Sequence, residues 1–416
     1  MRRTTTIIIG AGQAGLAMSH CLTEQNIDHV VLERGQVANS WRTERWDSLR
    51  LLSPNWQTRL PGYADQGSDP DGFRTLGETI ALFDGYSSQI SAPVETETAV
   101  LSAEAFGDGY LVRTTRGDWQ CRTLVIATGC MSTPNVPAFS RDLSEGYRTL
   151  SSKDYRNPAQ IEDGGVLVVG PSASGVQIAQ ELQRAGRDVV LSVGEHVRLP
   201  RTYRGVDILK LMDGAGIFDH TIHEVDDLGR VRRLPSMQLI GSPTRETISL
   251  NSLQDQGVEI VGRSMGARDH QIQLSGSLAN VCQLADLKMN RLLRTLDDWL
   301  AQTDLVNVAE DANTPMPTRL PEMPCLSLDL KARGIKTIIW ATGFRPDYSW
   351  LNVPVVNGRG RLRHDGGVVD APGLYAMGLP FMRKRKSNFI DGVADDARAL
   401  STHLTTFLAG AAAQAA

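Results

Sequence analysis

The chain has 416 residues, with 43 lysines and arginines against 47 aspartates and glutamates, for a net charge of −4. That balance leaves no basic footprint for nucleic acid, and 41% hydrophobic residues exclude a disordered chain. Five cysteines without a C-x-x-C pair exclude a zinc ribbon, a disulfide framework and a redox dithiol, and no metal is expected. No apolar run approaches the ~18 residues of a membrane span. The run Ile7–Ile9 is too short for a secretory signal, so a cytoplasmic protein with no membrane partner is expected.

In chain order, Thr5–Ile9 reads as a buried strand and residues 12–25 as a helix. Between them lies Gly10-Ala11-Gly12-Gln13-Ala14-Gly15, and the next strand, Ile27–Leu32, ends on Glu33. This is the context a G-x-G-x-x-G turn needs to bind a dinucleotide. Gly10 makes the tight turn, Gly12 lets backbone approach a pyrophosphate, and Gly15 lets helix and strand pack closely. The helix N-terminus faces the negative charge, and Glu33 accepts from the adenosine ribose. Further on, Leu124–Ile126 forms a strand ending in Ala127-Thr128-Gly129, and residues 130–160 read as a polar linker.

The first pattern returns 160 residues later. Gly165–Val169 is the strand, Gly170-Pro171-Ser172-Ala173-Ser174-Gly175 the turn, Val176–Arg184 the helix and Val189–Leu191 the next strand. The repeat implies two dinucleotide folds in one chain. At the end of the second strand stands Ser192 instead of a carboxylate, with Arg198 and Arg201 downstream. A 2′-phosphate is tolerated by such a set and repelled by an acid, so NADPH is expected there. Residues 201–245 read as an insertion, 277–303 as a long amphipathic helix, and Ile338–Trp340 as a strand ending in Ala341-Thr342-Gly343. A last helix is expected from about Gly392, with the Ala-rich terminus as its fraying end or a loose tail. The fold class is therefore α/β with two Rossmann-like domains, the second inserted into the first. The expected division is 1–160 with 341–416 for the first, and 161–340 for the second.

Trp41-Arg42, Arg45-Trp46-Asp47-Ser48-Leu49-Arg50-Leu51 and Leu60-Pro61-Gly62 resemble the single-component (class B) flavin-containing monooxygenases. The likeness is strongest to the bacterial and plant branch with the auxin-forming enzymes. The two Ala-Thr-Gly strand ends and the late run Gly373–Gly378 are similar too. The resemblance implies FAD in the first fold and NADPH in the second. It assigns to FAD Gly10, Gly12, Gln13, Ala14, Gly15, Glu33, Arg34, Trp41, Arg42, Val100, Ala127, Thr128, Gly378 and Asp391. Together with the second turn and its downstream arginines, it leads to Gly170, Ser172, Ala173, Ser174, Gly175, Ser192, Arg198, Arg201, Ala341 and Thr342 as the expected NADPH residues. It implies O₂ activation as a C4a-(hydro)peroxyflavin and oxygenation of a small molecule at N, S or a carbonyl. The alternative is an NAD(P)H oxidase or an electron-transfer reductase.

The chain departs from the family pattern at three places. Leu379 replaces an Asp that follows the last glycine in many relatives, and Ser151 stands where the fingerprint has His. Leu52 stands where animal-type enzymes have Asn, leaving Ser53 and Asn55 as the nearest polar candidates for catalysis. The basic run Arg383–Lys386 reads either as a steering patch for NADPH or an anionic substrate, or as a solvated loop.

Overall fold

The computed structural model describes residues 1–64, 67–304 and 310–415. The first unit is built on β1 (Arg2–Ile9), α1 (Gln13–Glu24) and β2 (His29–Leu32). Short helix α2 (Asn39–Thr43) and longer α3 (Leu76–Gln89) lead to β3 (Val94–Glu95). An antiparallel excursion follows: β4 (Val100–Phe106), β5 (Gly109–Thr114) and β6 (Trp119–Ile126). Ile7–Ile9 are buried because β1 sits between β2 and β6, both parallel to it. A strand covered on both faces reads as a continuous apolar run.

The second unit starts earlier than the sequence suggested. Within the supposed linker, β7 (Arg148–Ser151) pairs with a strand of the second sheet, so the crossover lies before residue 148. There follow β8 (Gly165–Val169), α4 (Ala173–Arg184) and β9 (Val189–Val193). The supposedly featureless insertion holds α5 (Ile208–Gly214), after which β10 (Glu259–Gly262) resumes the sheet. Next come β11 (Ser264–Arg268), β12 (Gln271–Leu274), α6 (Leu278–Leu300), β13 (Ser327–Asp329) and β14 (Ile335–Trp340). The sheet order is β7-β14-β8-β9-β10, all parallel. β11, β12 and β13 form a separate antiparallel meander, and α6 is inserted between its last two strands.

The chain then returns to the first sheet. β15 (Leu351–Asn352) adds beside β4, β16 (Leu374–Ala376) pairs parallel with β6, and α7 (Val393–Ala415) packs Leu400 and Leu404 into the core around Leu16. The side chains beyond residue 410 lie outside the described ones. The insertion has a core of its own: Ile208, Leu211, Met212 and Phe218 pack on Met289, Leu293, Leu296 and Leu300 of α6. The C-terminal half of α6 thus spends its apolar face on the insertion, while Leu278 and Cys282 at its start pack into the core of the second unit. Among the described residues no helix is long and apolar enough to cross a membrane.

Candidate nucleotide and flavin site

The two glycine turns are the same structure built twice. Gly10 and Gly170 both have positive φ, +106° and +114°. A Cβ on Gly10 would lie 2.6 Å from the Ala127 carbonyl oxygen, and one on Gly170 would lie 2.4 Å from that of Ala341. Each Ala-Thr-Gly strand end is therefore pressed against its turn. Gly15 and Gly175 leave no room either, since a Cβ there would fall on the Gly10 or Gly170 carbonyl oxygen. Gly12 is the opposite case: a Cβ there would meet nothing within 4 Å.

Gly12 and Ser172 cap α1 and α4 in matching extended conformations, φ −90° and −82°. Neither helix has a side-chain cap or an acid in its first turn. Free N–H donors and the positive end of the helix dipole are thus exposed where a pyrophosphate fits. Glu33 is buried at the tip of β2; its carboxylate accepts from Ala11 N (2.8 Å) and Gly35 N (3.1 Å). Glu33 therefore shapes the turn as well as closing its ribose side. Val100 opens β4, two residues after Thr98, whose N–H donates to the Glu33 carbonyl. Gly378, at φ +70°, abuts α1, and a Cβ there would lie 2.9 Å from that of Ala14. These features fit FAD: an open cradle at Gly12, unspent helix donors and a buried acid beside them.

Other expected FAD residues are engaged with protein. Arg34 pairs with the buried Glu44, which also holds Lys153 at 3.0 Å. Trp41 stacks on Phe83, with the Arg45 guanidinium 5.3 Å from its ring centre. Arg42 donates to the Val37 carbonyl and pairs with Asp84. Asp391 lies just ahead of α7 and is held by Arg59 Nη2 at 2.8 Å. Its carboxyl is pushed up by burial, against the pull of Arg59. Ser53 and Asn55 do not border the main cavity described below. Asn55 instead closes the Asp69–Gly72 turn, donating to the Asp69 carbonyl at 2.9 Å.

A cavity of about 950 Å³ runs from the second glycine turn to the first unit. Gly170, Ser172, Ser174 and Ala341–Gly343 form one wall, and Cys130, Leu379 and Pro380 the far end. Four arginines line it: Arg232, Arg233, Arg263 and Arg361. Arg232 donates to the Phe381 carbonyl (3.1 Å), and both burial and Arg361 press against its charge. His364, also on the wall, is held neutral by burial and by Arg232, its pKa lowered to about 4. The Cys130 thiol is pushed up by burial, and no other cysteine borders the cavity.

Two expected NADPH residues are corrected, and a third, Ser192, borders the cavity with its hydroxyl already engaged. Arg198 is buried and spent on Asp286, the Met316 carbonyl (2.6 Å) and Thr318. Arg201 is fully buried; it pairs with Asp207 and donates to the Leu52 carbonyl (2.7 Å). Neither guanidinium is free for a phosphate. The Ser192 hydroxyl is tied to the next strand, accepting from Ser264 N (2.9 Å) and bonding Ser264 Oγ (2.8 Å). The cavity arginines, which sequence reasoning passed over, come from segments distant in sequence and converge only on folding. The basic run is also corrected. Lys384 and Lys386 both reach Asp219 of the insertion, at 3.0 and 3.1 Å, so they stitch the insertion to the first unit.

The pyridine nucleotide-disulphide oxidoreductase family model matches residues 7–204, ending past β9 at the start of the insertion. An uncharacterized CzcO-like oxidoreductase of Geobacillus kaustophilus is 30% identical, over 95% of this chain and 96% of its own. A probable indole-3-pyruvate monooxygenase of Arabidopsis thaliana is 30% identical, but over only about half of either chain. A flavin-containing monooxygenase from Stenotrophomonas maltophilia shares the fold, with a TM-score of 0.67 at 20% identity over 98% of this chain and all of its own. With its doubled glycine turns and a kinship that runs nearly the full length of both chains, the chain belongs with the CzcO-like oxidoreductases, on a fold it shares with the flavin-containing monooxygenases.

Proposed function

We propose that the protein is an NADPH-dependent monooxygenase that oxygenates a small organic molecule at a nitrogen, sulfur or carbonyl centre. The observation that carries this reading is the continuous cavity. It joins the second glycine turn to Leu379 and Pro380, immediately after the glycine that abuts α1. A reductant gripped at one end reaches the flavin at the other. When bound, the flavin supplies the two-electron centre that activates O₂.

The chain's own residues do the rest. The α1 and α4 N-termini hold the two pyrophosphates, and the proposed FAD and NADPH contacts are those of the two turns, Glu33 and the Ala-Thr-Gly ends. Phe139, Leu234, Tyr348 and Leu362 give the cavity apolar stretches that limit water. His364, uncharged at neutral pH, adds no positive charge to the cavity wall. Cys130 stands alone and protonated, which disfavours a dithiol relay of the disulfide-reductase kind. The division of the chain we propose is a flavin unit of about 1–147 with 341–416 and a nicotinamide unit between.

The test is anaerobic reduction followed by oxygen. NADPH should bleach the flavin's visible absorption. Oxygen with a panel of amines, sulfides and ketones should then yield oxygenated product in proportion to NADPH consumed. Flavin bleaching with all the oxygen recovered as H₂O₂ across the panel would establish the oxidase reading instead.

A further inference from the structure

The two glycine turns differ in what anchors them. In the first, the carbonyl of Ala11, the residue after Gly10, accepts from Ala38 N at 3.0 Å. Ala38 caps α2, so that bond stays within the first unit. Pro171 holds the same position after Gly170, and its carbonyl accepts from Gln238 Nε2 at 2.6 Å. Gln238 belongs to the insertion. Proline also has no N–H, so the bond from Ala11 N to Glu33 has no counterpart in the second turn. The second turn is thus gripped at this position by a side chain from outside the glycine motif.

Packing alone does not account for Gln238. It is fully buried, and its Oε1 has no hydrogen-bond partner among the described residues. A carbonyl only accepts, so the amide must turn its NH₂ group to Pro171 and leave its own oxygen without a donor. A methionine has the same reach and would fill the space with no orphaned acceptor. What it could not make is the bond to Pro171. The backbone that delivers the amide is fixed on several sides. Gln238 N donates to the Val197 carbonyl at 2.8 Å, and the Leu239 carbonyl accepts from Gln177 Nε2 of α4 at 3.3 Å. Ile240 packs in the core of the second unit, and Gly241 lies against the Leu51 carbonyl of the first.

Peptide geometry sets the consequence. In a trans peptide the C=O and N–H point opposite ways. With the Pro171 oxygen drawn toward Gln238, the N–H of Ser172 is directed away from it. Pro171, Ser172 and Ser174 border the main cavity, and Gln238 does not. Ser172 is also the residue that caps α4 without using its side chain. Resting on the reading that NADPH is the reductant held at this turn, we propose that Gln238 is a positioning residue for it. By fixing the Pro171–Ser172 peptide, Gln238 presents the Ser172 N–H to the pyrophosphate. The insertion, and not the glycine turn alone, then sets the affinity for the reductant.

The test uses the FAD-loaded enzyme and titrates NADP⁺ by calorimetry. Gln238→Met should weaken NADP⁺ about ten-fold, the loss of one charge-assisted hydrogen bond, with FAD affinity as in wild type. Gln238→Leu, equally unable to donate, should reproduce the loss. Gln177→Met removes the neighbouring bond between α4 and the insertion but leaves the grip on Pro171, and its NADP⁺ affinity should stay within about two-fold of wild type. In anaerobic stopped-flow reduction, Gln238→Met should need about ten-fold more NADPH to reach half its limiting rate, and the limiting rate itself should hold. Wild-type NADP⁺ affinity in both Gln238 variants overturns the proposal. So does an equal loss in Gln238→Met and Gln177→Met, which is what a general loosening of the insertion would give, and so does a wild-type enzyme that binds no NADP⁺. Binding of NADP⁺ that depends on Gln238, in an enzyme whose flavin NADPH never bleaches, would instead remove the functional reading and leave the positioning role in place.

Discussion

Gly12 and Gly15 lie three residues apart, yet the structure makes opposite demands on them. At Gly12 the backbone is extended, with ψ −173°, a conformation open to any residue, and an added Cβ meets no atom within 4 Å. We predict that Gly12→Ala changes the stability of the flavin-free protein by less than about 1 kcal/mol, since only small cap and chain-entropy effects remain. The same methyl intrudes where phosphate must approach backbone N–H groups. Losing one charge-assisted hydrogen bond costs about 1.5–3 kcal/mol, or roughly ten-fold or more in FAD affinity. Gly12→Val should be purified without colour. At Gly15 the added Cβ lands on the Gly10 carbonyl oxygen, so helix and strand must part. Overpacking of that kind costs about 1–3 kcal/mol before any cofactor is present. The assay is urea unfolding of the stripped proteins beside FAD titration by flavin fluorescence quenching. Two results refute the reasoning: Gly12→Val with wild-type FAD affinity, or stripped Gly15→Ala as stable as wild type.

Three buried positions outside the glycine turns are open to the same kind of test. Arg201→Ala should cost about 3–5 kcal/mol, because it strands Asp207 at the buried face of the insertion. Its NADPH-to-NADH preference should not move; a changed preference at unchanged stability would return Arg201 to the cofactor. Gly241→Ala should destabilise by about 1–3 kcal/mol, since its Cβ would meet the Leu51 carbonyl oxygen at 2.0 Å and Phe73 at 2.9 Å. Wild-type urea stability in that variant would show that the insertion does not rest on the 50–73 segment. Asp396, 2% exposed, has its pKa raised by burial to about 6. Between the ordinary carboxylate range and that value the folded chain holds a proton that the unfolded chain has released. Its contribution to stability is thus present in acid and lost as pH rises through about 6. Asp396→Asn should therefore raise the stability measured in urea more at pH 8 than at pH 4.5, by about 2 kcal/mol. An equal gain at both pH values would contradict this.

The parts of the molecule legible from sequence are those fixed by local backbone geometry. Gly10, Gly15, Gly170 and Gly175 are demanded by contacts within a few residues or with a strand end, so spacing reveals them. The arginines were misread for the converse reason. Arg198 and Arg201 lie near the second strand in sequence. Their partners Asp286 and Asp207, and the apolar shell that buries them, follow from how α6 and the insertion fold back. Arg263 gives no local signal, because it reaches the cavity wall only once β10 lies beside β9. The linker concealed β7 because a four-residue edge strand is too short to show a period. The insertion looked featureless because its helix α5 spans only seven residues and draws its amphipathic partner from α6.

The seam between the insertion and the 381–389 segment bears on how such chains can be recombined. Ile222 N donates to the Arg383 carbonyl, Arg385 N to the His220 carbonyl, and Arg232 to the Phe381 carbonyl, while Lys384 and Lys386 share Asp219. A graft that swaps the nicotinamide unit of a relative at about residues 147 and 341 would leave both sheets whole but would sever all of these. Module exchange has to carry residues 201–245 and 381–389 as one piece, although some 140 residues separate them along the chain. Sequence borders and mechanical borders do not coincide in this protein, and a shuffled library drawn on the former would discard mostly working parts.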